Sequence, residues 1–204
     1  MKKIILSLTV VMGLGLTQIN AQDAKNVSFG VKAEANMSNF ILKDLDGMKS
    51  KMNAGAAIGG FTKFDLGDHF ALQPELLINY KNSKSEAGTY ESNTEYWGAE
   101  IPVYALGQWS AGSGIFYAGV GPYVSCGFSS KSYPGGNDLY KKVNGETAMQ
   151  RWDLGGGALV GYELANGIQI NAGYKIGFLN MMDAGSDDHS MYNQTISLGV
   201  GFRF

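Results

Sequence analysis

The sequence predicts an all-β fold: an eight-stranded antiparallel up-and-down transmembrane β-barrel. Three observations predict it. Apolar residues recur at every second position through eight segments, the period of a strand with one apolar face. The connections between segments alternate between long and short. Charged residues make up only 17% of the chain, against about 25% in soluble domains, and within the segments they fall on the second face.

Residues 1–21 read as a cleaved leader. Lys2 and Lys3 precede an apolar run from Ile4 to Leu16, and small Ala21 precedes the expected cut. That run is shorter than the ~20 residues a membrane-spanning helix needs. Residues 22–204 are then a single domain.

The first strand sets Val27, Phe29, Val31, Ala33, Ala35 and Met37 against Ser28, Gly30, Lys32, Glu34 and Asn36. The second, Ala54 to Phe64, is Gly/Ala-rich, with Lys63 and Asp65 on its polar face. In the third, Phe70, Leu72, Pro74, Leu76, Ile78 and Tyr80 oppose Gln73, Glu75, Asn79 and Lys81. The fourth runs from Trp97 to Trp109, with Glu100 and Tyr104 opposite its apolar face; the fifth runs from Phe116 to Phe128, with Tyr117 and Tyr123 opposite. The sixth, Trp152 to Leu164, carries Asp153 and Glu163 on its second face and Tyr162 on its first. Ile168 to Phe178, with Lys175, and Tyr192 to Phe204, with Arg203, complete the set.

Long polar connections are expected at 38–52, 82–95, 129–150 and 180–191, and short ones at 65–68, 110–114 and 165–167. Short turns on the periplasmic side and long loops outside are the pattern of outer-membrane barrels, which places both termini in the periplasm. Thirteen residues at ~3.4 Å, tilted ~40°, rise roughly 33 Å, enough for a ~25 Å apolar band. Trp97, Trp109, Phe116, Phe128, Trp152 and Tyr162 then lie near the two interfaces. A soluble lipocalin-like barrel would need a charged exterior, and the second face is too rich in Gly and Ser for that.

The predicted lumen holds Lys32, Lys63, Lys81, Lys175 and Arg203 with Glu34, Asp65, Glu75, Glu100, Asp153 and Glu163. Near-balanced charge in a barrel just wide enough for side chains to fill it predicts a salt-bridged plug. A path for protons or cations through the central Glu34, Glu75 and Glu100 is the alternative function.

Other chemistry finds little support. The formal charge of −2 argues against nucleic acid. One Cys and two His leave no disulfide and little for a metal centre. His189, with Asp187, Asp188 and Ser190, is the one candidate for lipid-modifying catalysis, and Asp183 to Asp188 for weak Ca²⁺ binding; a solvated loop explains both. No cofactor is expected. Tyr133, Asn137, Tyr140, Lys141 and Lys142 suit either a recognition loop or a plain exposed one. The last strand alternates to its end on Phe202 and Phe204, which looks like the signal read by the barrel assembly machinery.

The stretches Phe29 to Asn36, Phe70 to Leu77, Glu100 to Val103 and Tyr117 to Tyr123 resemble strands of the PorT-like outer-membrane β-barrel proteins of Bacteroidetes. The resemblance covers 27–204 and implies an outer-membrane location and eight strands. It implies little about activity, and the namesake's link to protein secretion is not carried over. The Ala-Gly repeats of the second strand depart from the family pattern. The expectation is a monomer in outer-membrane lipid with a structural or loop-mediated binding role. Its partners would be the assembly machinery and an extracellular ligand reached through 82–95 and 129–150; a narrow solute channel and a lipid A-modifying enzyme are the alternatives.

Overall fold

The computed structural model describes residues 26–43, 48–87, 90–142, 147–181 and 190–204; the expected leader lies outside them. Eight long strands form the wall: β1 (Val27–Lys43), β2 (Met48–Asp65), β3 (Phe70–Ala87), β4 (Tyr90–Ala111), β5 (Gly114–Tyr133), β7 (Trp152–Glu163), β8 (Ile168–Gly177) and β9 (Ser190–Arg203). Between β5 and β7 lies a two-residue strand, β6 (Asn137–Asp138), paired on the edge of β5. Each long strand pairs antiparallel with its neighbour in sequence, and β9 closes on β1. No described helix is long and apolar enough to cross a membrane.

The register fixes the size of the ring. From Val27 the paired residues run through Phe64, Leu72, Ala105, Val120, Ala158, Tyr174 and Ile196 back to β1 at Met37. The circuit returns ten residues along the strand, the shear of the barrel. Eight strands with that shear give a tilt of about 40° and a backbone radius of roughly 8 Å. A cylinder so narrow is filled by its own side chains.

Three short turns close one end. At Ala165–Gly167, φ of +87° at Gly167 explains the residue there. Between β4 and β5 only residues 112 and 113 intervene, a tighter turn than the sequence suggested. Where Pro122 withdraws a ladder donor, pairing between β4 and β5 skips Val103 and Tyr104. The backbones come so close there that a Cβ on Gly121 would sit 1.8 Å from the Val103 carbonyl oxygen.

The other end corrects the sequence reading. The expected loop 38–52 is mostly strand: Ser38 to Lys43 pair with β9, and Met48 to Asn53 with β3. The expected loop 82–95 is a hairpin whose ladder holds from Asn82↔Glu95 to Ala87↔Tyr90. β5 continues through Tyr133. The apolar alternation ends before the ladder does. The second strand has a register shift between Asn53 and Ala56, within its Ala-Gly segment.

The wall is therefore uneven. β1 to β5 have 17 to 22 residues, whereas β7 has 12 and β8 has 10. Above the shorter strands irregular segments bridge β5 to β9. Leu139 N–H donates to Ser130 O at 2.9 Å, Met149 N–H to Leu139 O at 3.2 Å, Gln150 N–H to Met181 O at 3.0 Å and Met181 N–H to Met191 O at 2.8 Å.

Candidate functional site: the barrel lumen and its long-connection mouth

Alternation along each strand turns one face inward, so the lumen can be read from the short-turn end upward. Glu163 anchors the first layer. It takes Lys63 Nζ at 3.4 Å, a Gln169 amide N–H at 2.7 Å and the Arg203 guanidinium. Asp65, at the rim, accepts a Gln108 amide N–H at 2.9 Å. Lys63, Asp65, Asp68, Gln108 and Arg203 line an open vestibule of about 180 Å³. The next layer is apolar and aromatic: Ala71, Tyr104, Leu106, Tyr117 and Leu159 pack together.

Above that layer six charges alternate in one chain. Lys32 Nζ lies 3.0 Å from Glu75 and 2.8 Å from Glu34. Lys175 Nζ lies 3.9 Å from Glu34 and also pairs with Glu100, which takes Lys81 Nζ at 3.1 Å. A Gln73 amide N–H donates to Glu75 at 2.8 Å. All six side chains are buried. Burying a charge is costly unless it is paired and hydrogen-bonded, and each ammonium here touches two carboxylates or shares one. The eleven charges read from the sequence all reach the lumen or its rim, but they divide into the six-charge chain, the Glu163 group, Asp65 and Asp153. Asp153 stands outside the ion pairs. It accepts Tyr123 O–H at 2.8 Å and an Asn193 amide N–H at 3.5 Å, both on Oδ2.

A cap closes the long-connection mouth. Tyr96, Tyr140, Met149 and Met181 form a buried cluster, with Phe40, Leu139 and Met191 packed against it. Tyr140, expected from the sequence in an exposed loop, is a buried part of this cap. Arg151 lies over its ring at 4.5 Å, and burial pushes its phenol above the usual range, so it stays neutral. Sequence reasoning missed the cap. Its only signal was a few apolar residues, among them Leu139, Tyr140, Met149 and Met181, within otherwise polar connections. Tyr133, Asn137, Lys141 and Lys142 are exposed at the same end. His69 is exposed at the short-turn end; Asp183 to His189 lie outside the described residues.

The outward face is apolar over the middle of every long strand. Val31, Ile58, Val120, Ile170, Leu198 and Val200 are among its exposed residues. Aromatic residues mark both edges. Trp109 and Phe116 pack at 5.9 Å near the short turns, where Tyr162 O–H donates to Ala111 O at 2.6 Å. Trp97, Phe128 and Trp152 are exposed at the other edge, with Tyr80 5.0 Å from Trp97. Phe202 and Phe204 stack at 6.5 Å on the last strand, and Phe204 N–H donates to Phe29 O at 3.0 Å.

A family model for the outer membrane protein β-barrel domain matches residues 6–204. This chain belongs to that outer-membrane β-barrel family. Its fold is similar to that of Neisserial surface protein A, with a TM-score of 0.51 and 16% identity over 87% of this chain and 99% of that one. OprG from Pseudomonas aeruginosa matches at a TM-score of 0.47 and 11% identity, over 87% of this chain and 95% of that one. No curated protein sequence matches the chain. The outer-membrane barrel family gives the apolar belt its solvent: lipid, with the aromatic rings at the two interfaces. The same setting explains the lumen. Every charge the strands carry at membrane depth is turned inward, where a partner is available.

Proposed function

We propose that this barrel is a closed, non-catalytic monomer of the PorT-like group of Bacteroidetes that binds an extracellular ligand at its long-connection end. A leader ending at Ala21 exports it, the assembly machinery reads Phe202 and Phe204, and both termini face the periplasm. The observation that carries the reading is the lumen. A continuous chain of paired charges crosses it, a tyrosine–leucine layer lies on one side and the Met/Tyr cap on the other. Such a core stiffens a scaffold and, among the described residues, favours a filled lumen over an aqueous path. Meanwhile β1 to β5 continue beyond the apolar belt as a hydrogen-bonded wall, which supports exposed residues more firmly than loops would.

Two measurements test it. Cells displaying the barrel are expected to be retained on an array of immobilised glycans, and replacing exposed Tyr133, Asn137, Lys141 and Lys142 together by Ala should abolish retention while the heat-modifiable band persists. Equal retention of the variant would count against the proposal. In planar bilayers in 1 M KCl the purified barrel should give no discrete conductance steps; regular steps would favour the narrow-channel alternative.

A further inference from the structure

Among the described residues, the buried charges of the lumen balance except at one carboxylate. Lys32, Lys81 and Lys175 offset Glu34, Glu75 and Glu100. Lys63 and Arg203 offset Glu163 and, across the vestibule, Asp65. Asp153 is 2% exposed and forms no ion pair. Both of its donors, Tyr123 and Asn193, go to Oδ2; Oδ1 is buried with no hydrogen-bond partner. A buried carboxylate oxygen left in this state is costly.

That carboxylate lines a cleft of about 20 Å³ in the long-connection mouth, together with Ser83, Phe40, Tyr96, Met149 and Met181. We propose that the cleft binds a small organic ammonium: a protonated primary amine against Asp153 Oδ1, with its apolar part beneath Met149 and Met181. An ammonium supplies up to three donors to a site short of one. The cleft admits a water-sized group, the size of the –NH₃⁺ head. Phe40 and Tyr96 give the cleft an aromatic lining, the kind of surface that attracts a cation, as Lys81 Nζ, 5.9 Å from the Tyr96 centroid, already does; the two methionines are unbranched and adaptable enough to re-pack around a short chain. Lys81 lines the same cleft but is held by Glu100 at 3.1 Å. Entry is at the Met149 and Met181 side of the cap, where single backbone hydrogen bonds, Met149 N–H to Leu139 O and Met181 N–H to Met191 O, stand in place of a ladder. The site lies inside the mouth, and its case does not depend on what the exposed edge binds.

The test uses the refolded barrel in detergent micelles with methyl-labelled methionine, followed by NMR. Titration with n-butylammonium chloride should give saturable shifts at Met149 and Met181, whereas sodium chloride at the same ionic strength should not. Neutral n-butanol, of the same size, should bind at least tenfold more weakly. Asp153→Asn should weaken the amine at least tenfold, with His69→Ala, exposed at the short-turn end, unchanged. Should Asp153→Asn fail to fold, Met149→Ala decides: it keeps the carboxylate, opens the cleft and should alter the affinity for butylammonium at least threefold. Shifts that never saturate, equal binding of butanol, or an Asp153→Asn barrel with wild-type affinity overturns the proposal and leaves Asp153 as a protonated packing group.

Discussion

Replacing Glu100 by Ala is expected to destabilise the barrel by about 3–5 kcal/mol, the cost of removing one partner from a buried ion pair. Glu100 is fully enclosed and carries two ammoniums, Lys81 and Lys175. Truncation leaves Lys81 with no carboxylate and Lys175 with only Glu34, at 3.9 Å. The compensated variant separates pairing from packing. Glu100→Leu with Lys81→Met removes one charge of each sign and leaves Lys32 and Lys175 balanced by Glu34 and Glu75. Apolar replacement of a whole buried ion pair is often neutral, so this double variant should recover most of the loss. Guanidinium unfolding in lipid vesicles, followed by tryptophan fluorescence, reads both. A Glu100→Ala cost below about 1 kcal/mol, the value of an exposed pair, would mean the chain of charges does not hold the lumen together.

The sequence carried this network only in part, and the reason is geometric. Alternation tells which face a residue occupies, so Lys32, Glu75, Glu100 and Lys175 could be turned inward without a structure. Which of them meet depends on register and shear. Lys175 and Glu100 are 75 positions apart and lie on β8 and β4, and no local pattern pairs them. The same limit hid the isolation of Asp153. The strand ends were lost for a different cause. In Lys49-Ser50-Lys51-Met52-Asn53 and Ser83-Lys84-Ser85-Glu86-Ala87 the ladder continues, but beyond the belt the outer face no longer meets lipid, so the period-two signal fades while the hydrogen bonds persist. A polar strand and a polar loop then look alike. The eight-strand count survived because each strand crosses the belt, where the outer face must be apolar.

The belt supplies the second large effect. Val120 is 65% exposed, on the outward face of β5 between Phe116 and Phe128. Val120→Arg places a guanidinium in hydrocarbon and is expected to cost about 2–4 kcal/mol. Its neighbours across the ladder, Ala105 and Ala158, offer no carboxylate, and the lumen charges lie on the far side of the wall. The control is Phe128→Arg at the aromatic edge, where an arginine reaches the headgroups and the cost should fall to about 0–1 kcal/mol. The difference between the two isolates depth, since both sites lie on one strand and receive the same side chain. In detergent micelles, which deform around a charge more readily than a bilayer, the difference should shrink. Equal costs at both positions in vesicles would place Val120 outside the hydrocarbon and break the link between the alternation of β5 and its membrane depth.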